Sequence, residues 1–184
     1  KCIVFGRTWK SDDELIIKLI NSGDLKGYKI IIAPHEINNQ KINQIQQRIK
    51  ISSALYTEDS ISLENQVLVL NEIGQLKYLY RYAELVYIGG GFGAGIHNTL
   101  EASVYGCPVV FGPKYQKFDE AKRMVDLKIG FSVSNYESFE KQILFLLGSD
   151  ELRLKIQSHS EHFFKESEGA TNKIFSYLVE KSLI

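Results

Sequence analysis

The stretch Leu85–Glu101, with the sequence LVYIGGGFGAGIHNTLE, predicts the fold of this chain. Its apolar start, Leu85 to Ile88, is typical of a buried strand. Five glycines in the next seven positions form a loop in which no Cβ obstructs a close approach. From Thr99 to Tyr105 the pattern is typical of a helix. A strand, a glycine-rich loop and a helix in this order make one βα unit of a parallel sheet.

The same alternation continues on both sides of that stretch. The further predicted strands are Cys2–Gly6, Tyr28–Ala33, Ser53–Tyr56, Gln66–Leu70, Pro108–Phe111 and Gly130–Val133. The further predicted helices are Asp12–Asn21 with Ser11 as its N-cap, Asn38–Ile49, Gly74–Tyr82, Asp119–Leu127, Ser138–Leu147, Glu151–Phe164 and Thr171–Leu183. Continuous apolar strands separated by helices predict a doubly wound parallel sheet, that is, a Rossmann-like α/β fold. We expect a single domain over 1–184, with an α/β core at 1–135 and C-terminal helices at 136–184.

Composition narrows the classes of function. The 22 basic and 22 acidic residues cancel, which argues against a nucleic-acid-binding protein. Cys2 and Cys107 are remote from each other and surrounded by apolar residues, so we expect buried free thiols and a reducing compartment. The sequence contains no apolar run long enough for a membrane span and no signal peptide. Because it begins inside an apolar run and without Met, we expect it to be a piece of a longer protein.

In doubly wound sheets, ligands bind outside the carboxyl ends of the strands, at a topological switch point. The loops that follow predicted strands there are 6–10, 34–38, 71–75 and 89–98, with 112–118 as a fifth.

The loop 89–98 has the strongest signal. It precedes a predicted helix start, whose free N–H groups and positive dipole end favour a phosphate. His97 and Asn98 lie four and three residues before Glu101, a spacing that would place all three on one helix face. A carboxylate there can accept hydrogen bonds from two ribose hydroxyls. The structural alternative is a tight turn with a capping Asn98.

A dinucleotide-binding motif is a second alternative for the same loop. Gly89, Gly91 and Ala94 match the G-x-G-x-x-A spacing. That motif closes the first βα unit and is followed about 20 residues later by an acidic residue at a strand end. Here it follows a late strand, and the next strand ends at Gly112 with no carboxylate, which argues against it.

Three other loops have polar residues in a suitable place. They contain the lysines and glutamine of 112–118, His35 after the second strand, and Arg7 and Thr8 beside the only tryptophan, Trp9. Each also has a structural interpretation as a solvated or packing segment. No spacing typical of a metal site, a nucleophile elbow or a catalytic dyad is present, so we expect this domain to bind a ligand and not to catalyse alone.

Two stretches, Gly89–Glu101 and Tyr105–Pro113, resemble the C-terminal half of 3-deoxy-D-manno-octulosonic acid (Kdo) transferases, most closely those of Bacteroides-type bacteria. The segment Gly74–Glu84 is similar to the family's G-E-L…L-Y…A-D pattern, and Gly6–Thr8 to its G-S-T loop. The resemblance implies the donor-binding domain of an inverting GT-B glycosyltransferase that uses CMP-Kdo without a metal or other cofactor. It also implies work at the cytoplasmic side of the bacterial inner membrane, with this domain in the cytosol.

The resemblance assigns roles to individual residues. It implies Glu101 on the ribose hydroxyls, and Gly90, Gly91, Gly95, His97, Asn98 and Thr99 on the phosphate and sugar carboxylate. Thr8 lies in the G-S-T-like loop, and His35 matches the histidine of a P-R-H loop near the cytosine and phosphate. Pro34 occupies the arginine position of that loop, so the cation would come from Arg7 or Lys114.

The catalytic carboxylate and the surface for the membrane and the lipid A precursor belong to the family's N-terminal domain, and neither is in this chain. Gln75 replaces the glutamate of G-E-L, which makes a charged role there doubtful. Other interpretations stay open at this point: a UDP-sugar transferase, a protein similar to UDP-N-acetylglucosamine 2-epimerase, or a non-catalytic nucleotide-binding module.

Overall fold

The computed structural model of the chain describes residues 1–57, 61–167, 169–181 and 183. The strands are β1 (Cys2–Thr8), β2 (Lys29–Pro34), β3 (Ser53–Leu55), β4 (Val67–Val69), β5 (Leu85–Ile88), β6 (Val109–Phe111) and β7 (Gly130–Ser132). The helices are α1 (Lys10–Ser22), α2 (Asn39–Arg48), α3 (Leu76–Leu79), which continues as a 3₁₀ turn (Tyr80–Tyr82), α4 (Leu100–Ser103), α5 (Asp119–Asp126), α6 (Tyr136–Leu147), α7 (Asp150–Ser167) and α8 (Ala170–Glu180).

The seven described strands form one sheet in the order β3-β4-β2-β1-β5-β6-β7, and every neighbouring pair is parallel. The predicted Rossmann-like α/β fold is therefore confirmed. From β1 the chain moves to one side of the sheet and returns to the other side at β5. The topological switch point thus lies between the carboxyl ends of β1 and β5, where Gly6 pairs with Ile88.

The core sits on both faces of the central strands. All four residues of β5 are fully buried, because helices cover both faces of a parallel sheet. The first helix of the predicted tail, α6, belongs to this packing, since the Phe139 ring contacts Tyr87 edge-on at 5.3 Å and lies 6.4 Å from Phe5. By contrast, α8 carries exposed apolar side chains, including Ile174 and Phe175.

Two local predictions were wrong. Helix α1 begins at Lys10 with Trp9 as its N-cap, not Ser11, because the Asp12 carboxylate accepts the Trp9 backbone N–H at 2.8 Å. Helix α4 is one turn long and not the predicted 99–105. The chain leaves α4 through three-residue turns into Gly106, whose φ of 78° ends a right-handed helix.

The two cysteines are free, as predicted; Cys107 is buried and Cys2 is half-buried. Among the helices that the structure describes, none has the length and hydropathy required to cross a membrane.

Candidate functional site

A buried carboxylate, Asp12, organises the switch point. Its Oδ1 accepts the Tyr87 hydroxyl at 2.6 Å, and its Oδ2 accepts the backbone N–H of Trp9 at 2.8 Å and of Gly90 at 2.9 Å. Burial, and then the adjacent Asp12 charge, raise the pKa of Tyr87, so the phenol stays protonated and donates. Asp12 therefore fixes the start of α1, strand β5 and the glycine-rich loop relative to one another.

The glycine-rich loop closes on itself. Gly90 has a φ of 94°, and its carbonyl accepts the N–H groups of Gly93 at 2.8 Å and Gly95 at 3.1 Å. The Lys114 ammonium donates to the Gly93 carbonyl at 2.7 Å. Since the N–H of Gly90 goes to Asp12, the N–H groups of Gly90, Gly93 and Gly95 all have protein acceptors. These three backbone donors are therefore not available to a ligand.

Close packing between loops explains the glycine at position 91. A Cβ on Gly91 would lie 2.6 Å from the backbone of Gly112, so the loops after β5 and β6 touch main chain to main chain. The carbonyl of Gly91 also accepts the Lys114 N–H at 3.0 Å. Gly91 is therefore required by chain packing, whatever else the loop does.

Three aromatic rings join the loops after β1, β2 and β5. The Trp9 and His97 ring planes are parallel to within 2°, and the Trp9 Nε1–H donates to His97 Nε2 at 3.0 Å. The His35 ring stacks on both, with centroid distances of 4.3 Å to Trp9 and 4.4 Å to His97. Burial, and then the neighbouring His35 and Arg7, lower the pKa of His97. We refer to Trp9, His35 and His97 as the three-ring stack.

A cavity of about 190 Å³ opens beside this stack at the carboxyl edge of the sheet. Its lining residues are Arg7, Ala33, Pro34, His35, Ile37, Leu70, Glu72, Ile73, Gly74, Leu76, Lys77 and Glu101. The lining combines apolar side chains, which suit a flat base, with the carboxylates of Glu72 and Glu101 and the cations of Arg7 and Lys77. Burial, and then the Glu101 charge, raise the pKa of Tyr80, whose ring packs against Gly6 near the cavity.

Arg7 lies near the carboxyl end of β1, beside the switch point. It adopts a φ of 56°, in the left-handed region that a non-glycine residue rarely occupies. Such strain is typical of residues held in place at a functional site. The conformation brings Arg7 to the cavity, where its guanidinium can bind a phosphate or a carboxylate bidentately.

The predicted site residues fall into three groups. His35 and Glu101 line the cavity, and His97 borders it through the three-ring stack. Asn98 accepts the Leu100 N–H at 2.9 Å and donates to Glu101 Oε1 at 3.3 Å, so it caps the helix and orients the carboxylate. His97 and Asn98 precede α4, and it is the stack with Trp9 and His35 that holds His97 in place.

The other predicted residues lie away from the cavity surface. Thr8 and Thr99 are fully buried. Gly90, Gly91 and Gly95 build the closed loop, and Lys114 is bound to that loop. Of the two proposed sources of a cation, Arg7 is thus the one at the cavity. Among the described residues, no three His, Cys, Asp or Glu side chains are placed to hold a metal ion.

Sequence reasoning missed Asp12, Lys77 and Glu72, and it left Trp9 without a role. A usable signal existed for Asp12, because two adjacent acids, Asp12 and Asp13, open the helix that follows β1 at the switch point. Lys77 and Glu72 lie in or next to the loop 71–75 that sheet topology had marked.

Comparison with known proteins shows sequence similarity to glycosyltransferases. No family model matches the chain. A bifunctional glycosyltransferase/methyltransferase of Fusobacterium nucleatum is 33% identical over 152 residues, which are 78% of this chain and 23% of that protein. The 3-deoxy-D-manno-octulosonic acid transferase of Rickettsia prowazekii is 27% identical over 184 residues, 95% of this chain and 39% of that enzyme. The chain therefore spans only a quarter to two fifths of the length of these relatives.

Among solved structures, the C-terminal CMP-Kdo binding domain of WaaA from Acinetobacter baumannii superposes with a TM-score of 0.76. The alignment covers 88% of both chains at 19% identity, so it shows a shared fold. The sheet order is that of a Rossmann-like domain, the fold of the C-terminal half of GT-B glycosyltransferases. In sequence, the chain is similar to 3-deoxy-D-manno-octulosonic acid transferases over most of its length.

Proposed function

We propose that this chain is the donor-binding part of a glycosyltransferase and that the cavity beside Arg7, His35 and Glu101 receives the nucleotide of CMP-Kdo. The observation that supports this best is the joint placement of a cation, a stacked histidine and a carboxylate at the carboxyl edge of the sheet. The similarity to Kdo transferases supports CMP-Kdo as the donor, and the geometry supports Arg7, His35 and Glu101 as the residues that would hold it.

The cavity fits a part of the donor. Ligand pockets usually measure about 300–1,000 Å³, and this one measures about 190 Å³, enough for a base and part of a ribose. The Glu101 carboxylate, oriented by Asn98, would accept the ribose hydroxyls. The phosphate and sugar carboxylate would extend past Arg7 and His97 toward a second domain, which would complete the enclosure.

Binding by these residues would also assist the reaction. When the bond between the sugar and the phosphate breaks with inversion, negative charge grows on the leaving CMP. Arg7 at the end of β1 and the His97 ring, which Trp9 and His35 hold in place, would stabilise that charge in the transition state. The acceptor, a lipid A precursor at the cytoplasmic face of the inner membrane, would lose its proton to a base in another part of the protein. This chain alone would therefore bind the donor without transferring sugar.

Calorimetry with CMP and UMP tests the ligand. We expect measurable binding of CMP by wild type and weaker or no binding of UMP. Glu101→Gln should weaken CMP binding about tenfold, because a charged acceptor of the ribose hydroxyls is lost. Glu137→Gln, on the exposed first turn of α6, is the matched control and should bind as wild type.

Two results would contradict this function. Preferential binding of UMP would point to a UDP-sugar enzyme, and equal binding by wild type and Glu101→Gln would remove the cavity from the site. Sugar transfer by the 184-residue chain alone, measured with CMP-Kdo and a lipid A precursor, would refute the assignment of the base to another part of the protein.

A further inference from the structure

The hydrogen bond between Trp9 and His97 decides where the imidazole proton lies. An indole N–H is a donor only, so the His97 Nε2 that receives it at 3.0 Å must carry a lone pair. The proton of a neutral His97 is then on Nδ1. A free histidine side chain in water prefers the opposite arrangement, with the proton on Nε2. Trp9 thus selects the minor tautomer.

We propose that Trp9 is a positioning residue that holds His97 as a neutral Nδ1–H donor, aimed at an anionic group of the bound nucleotide sugar. This inference rests on the proposed function for its ligand, whereas the tautomer itself follows from the geometry of this chain. His35 stacks on both rings at an interplanar angle of 22°, with centroid distances of 4.3 Å and 4.4 Å. The result is a hydrogen-bond donor that needs no positive charge to act.

The groups around His97 favour its neutral state. His35, from the loop after β2, and Arg7, at the end of β1, both oppose a second positive charge. Asp12, from α1, acts in the opposite direction, but its carboxylate is already bound to Tyr87, Trp9 and Gly90. Partial burial of the ring adds to the preference for the neutral form. Protonation of Nε2 would also break the bond from Trp9.

The tautomer can be observed without any ligand. In the wild-type chain labelled with ¹⁵N, the imidazole nitrogens of His97 should show the Nδ1–H pattern at pH 8. Trp9→Phe keeps an aromatic ring for His35 to stack on but removes the indole donor, so the Nε2–H pattern should become the major one. An Nε2–H pattern in wild type would overturn the proposal, and so would an unchanged pattern in the variant.

The consequence for binding is a change in pH dependence. At pH 8, Trp9→Phe should bind CMP about fivefold more weakly, since the Nδ1–H donor is then a minority species. Near pH 5.5 the deficit should be smaller, because the variant leaves Nε2 free to take up a proton, and a doubly protonated His97 donates from Nδ1 whichever tautomer it prefers when neutral. The phosphate of CMP titrates equally in both proteins, so the ratio of the two Kd values is the quantity to follow.

His97→Gln provides the rescue, because a glutamine can accept from Trp9 through its oxygen and donate through its amide. We expect its CMP affinity to stay within about threefold of wild type at pH 8 and pH 5.5. A constant Kd ratio for Trp9→Phe across this range would mean that Trp9 is only structural, and would overturn the proposal. Absence of CMP binding by every protein would refute the proposed function, while the NMR pattern would still decide the role of Trp9.

Discussion

The glycine-rich loop and the cavity wall lie at the same edge of the sheet, yet they use their polar groups in opposite ways. In the loop, the N–H groups of Gly90, Gly93 and Gly95 have protein acceptors. In the wall, the side chains of Arg7 and Glu101 face open space. A run of glycines at a switch point therefore does not by itself identify the ligand-binding surface. Here the glycines let the carboxyl ends of β1, β5 and β6 pack closely. The side chains beside the loop are the groups that remain available to bind a ligand.

Gly91→Ala gives the largest expected effect and tests the packing role of the loop. The new Cβ would lie 2.6 Å from the backbone of Gly112, and backbone on both sides leaves no flexible group to move away. We expect a loss of about 3 kcal/mol in the free energy of unfolding. Urea unfolding would measure it directly, and the Tm should fall by roughly 6–12 °C.

Gly93→Ala is the matched control for that change. Its Cβ would meet only the Gly90 carbonyl at 3.6 Å, an ordinary van der Waals distance, in the same loop. We expect a change within about 0.5 kcal/mol. Equal stability of the two alanine variants would show that the loop is not held by main-chain contact with Gly112.

Asp12→Ala tests whether one carboxylate fixes the switch point. It would leave the N–H groups of Trp9 and Gly90 and the hydroxyl of Tyr87 without their acceptor. An unpaired buried donor costs about 1–3 kcal/mol, but water would fill the space left by the carboxylate and take over most of these hydrogen bonds, so we expect a net loss of about 2 kcal/mol.

Asp12→Asn should recover most of that loss. The amide oxygen can accept both N–H groups, and the amide nitrogen can donate to the Tyr87 hydroxyl. Paired urea unfolding curves at neutral pH would compare the two. If the asparagine variant were as unstable as the alanine variant, the negative charge of Asp12, and not its hydrogen bonds, would be the stabilising feature.

Sequence patterns predicted the fold well because strand and helix periodicity is local. Every described strand lies within or next to a predicted apolar run, and the strand ends named the correct loops. The same patterns predicted that His35 and Glu101 lie at the carboxyl edge of the sheet, where the structure has them. The short α4 was missed because its end depends on the turn at Gly106, which the apolar pattern does not report.

The chemistry of the site was less predictable because it depends on long-range contacts. Asp12 meets Tyr87 and Gly90 across 75 and 78 residues of sequence, and Trp9 meets His97 across 88. Glycines that permit chain packing and glycines that admit a ligand also look identical in a sequence, because both only require that a Cβ be absent. A single sequence therefore predicts which loops matter, but not which atoms in them remain available.

Arg7→Gly separates stability from binding on the cavity side. Arg7 adopts a φ of 56°, which glycine accepts freely, so we expect the free energy of unfolding to rise by about 0.5–1 kcal/mol. Loss of the guanidinium should weaken CMP binding at least tenfold. Thermal unfolding and calorimetry would measure the two effects.

Lys128→Gly is the matched control, because Lys128 has a φ of 58° at the end of α5 and does not line the cavity. It should gain similar stability and bind CMP as wild type. Weak CMP binding by the Lys128 variant, or unchanged binding by the Arg7 variant, would contradict the placement of the anionic group beside Arg7.

Asp13→Asn is expected to give the smallest effect, and its sign depends on pH. Burial raises the pKa of Asp13, while the Thr8 hydroxyl and the Lys41 ammonium, 4.0 Å away, partly oppose this. A folded-state pKa above the unfolded value means that the group favours folding below pH 4 and that this contribution is lost as pH rises through the raised pKa. The asparagine variant does not titrate and so does not lose this contribution. Its free energy of unfolding, relative to that of wild type, should therefore rise by up to about 0.5 kcal/mol between pH 4 and pH 7. Urea unfolding at both pH values would measure the gain. The contradicting result would be a variant that is less stable than wild type by the same margin at pH 7 and at pH 4. It would show that Asp13 stabilises the fold through Lys41 whatever its protonation state.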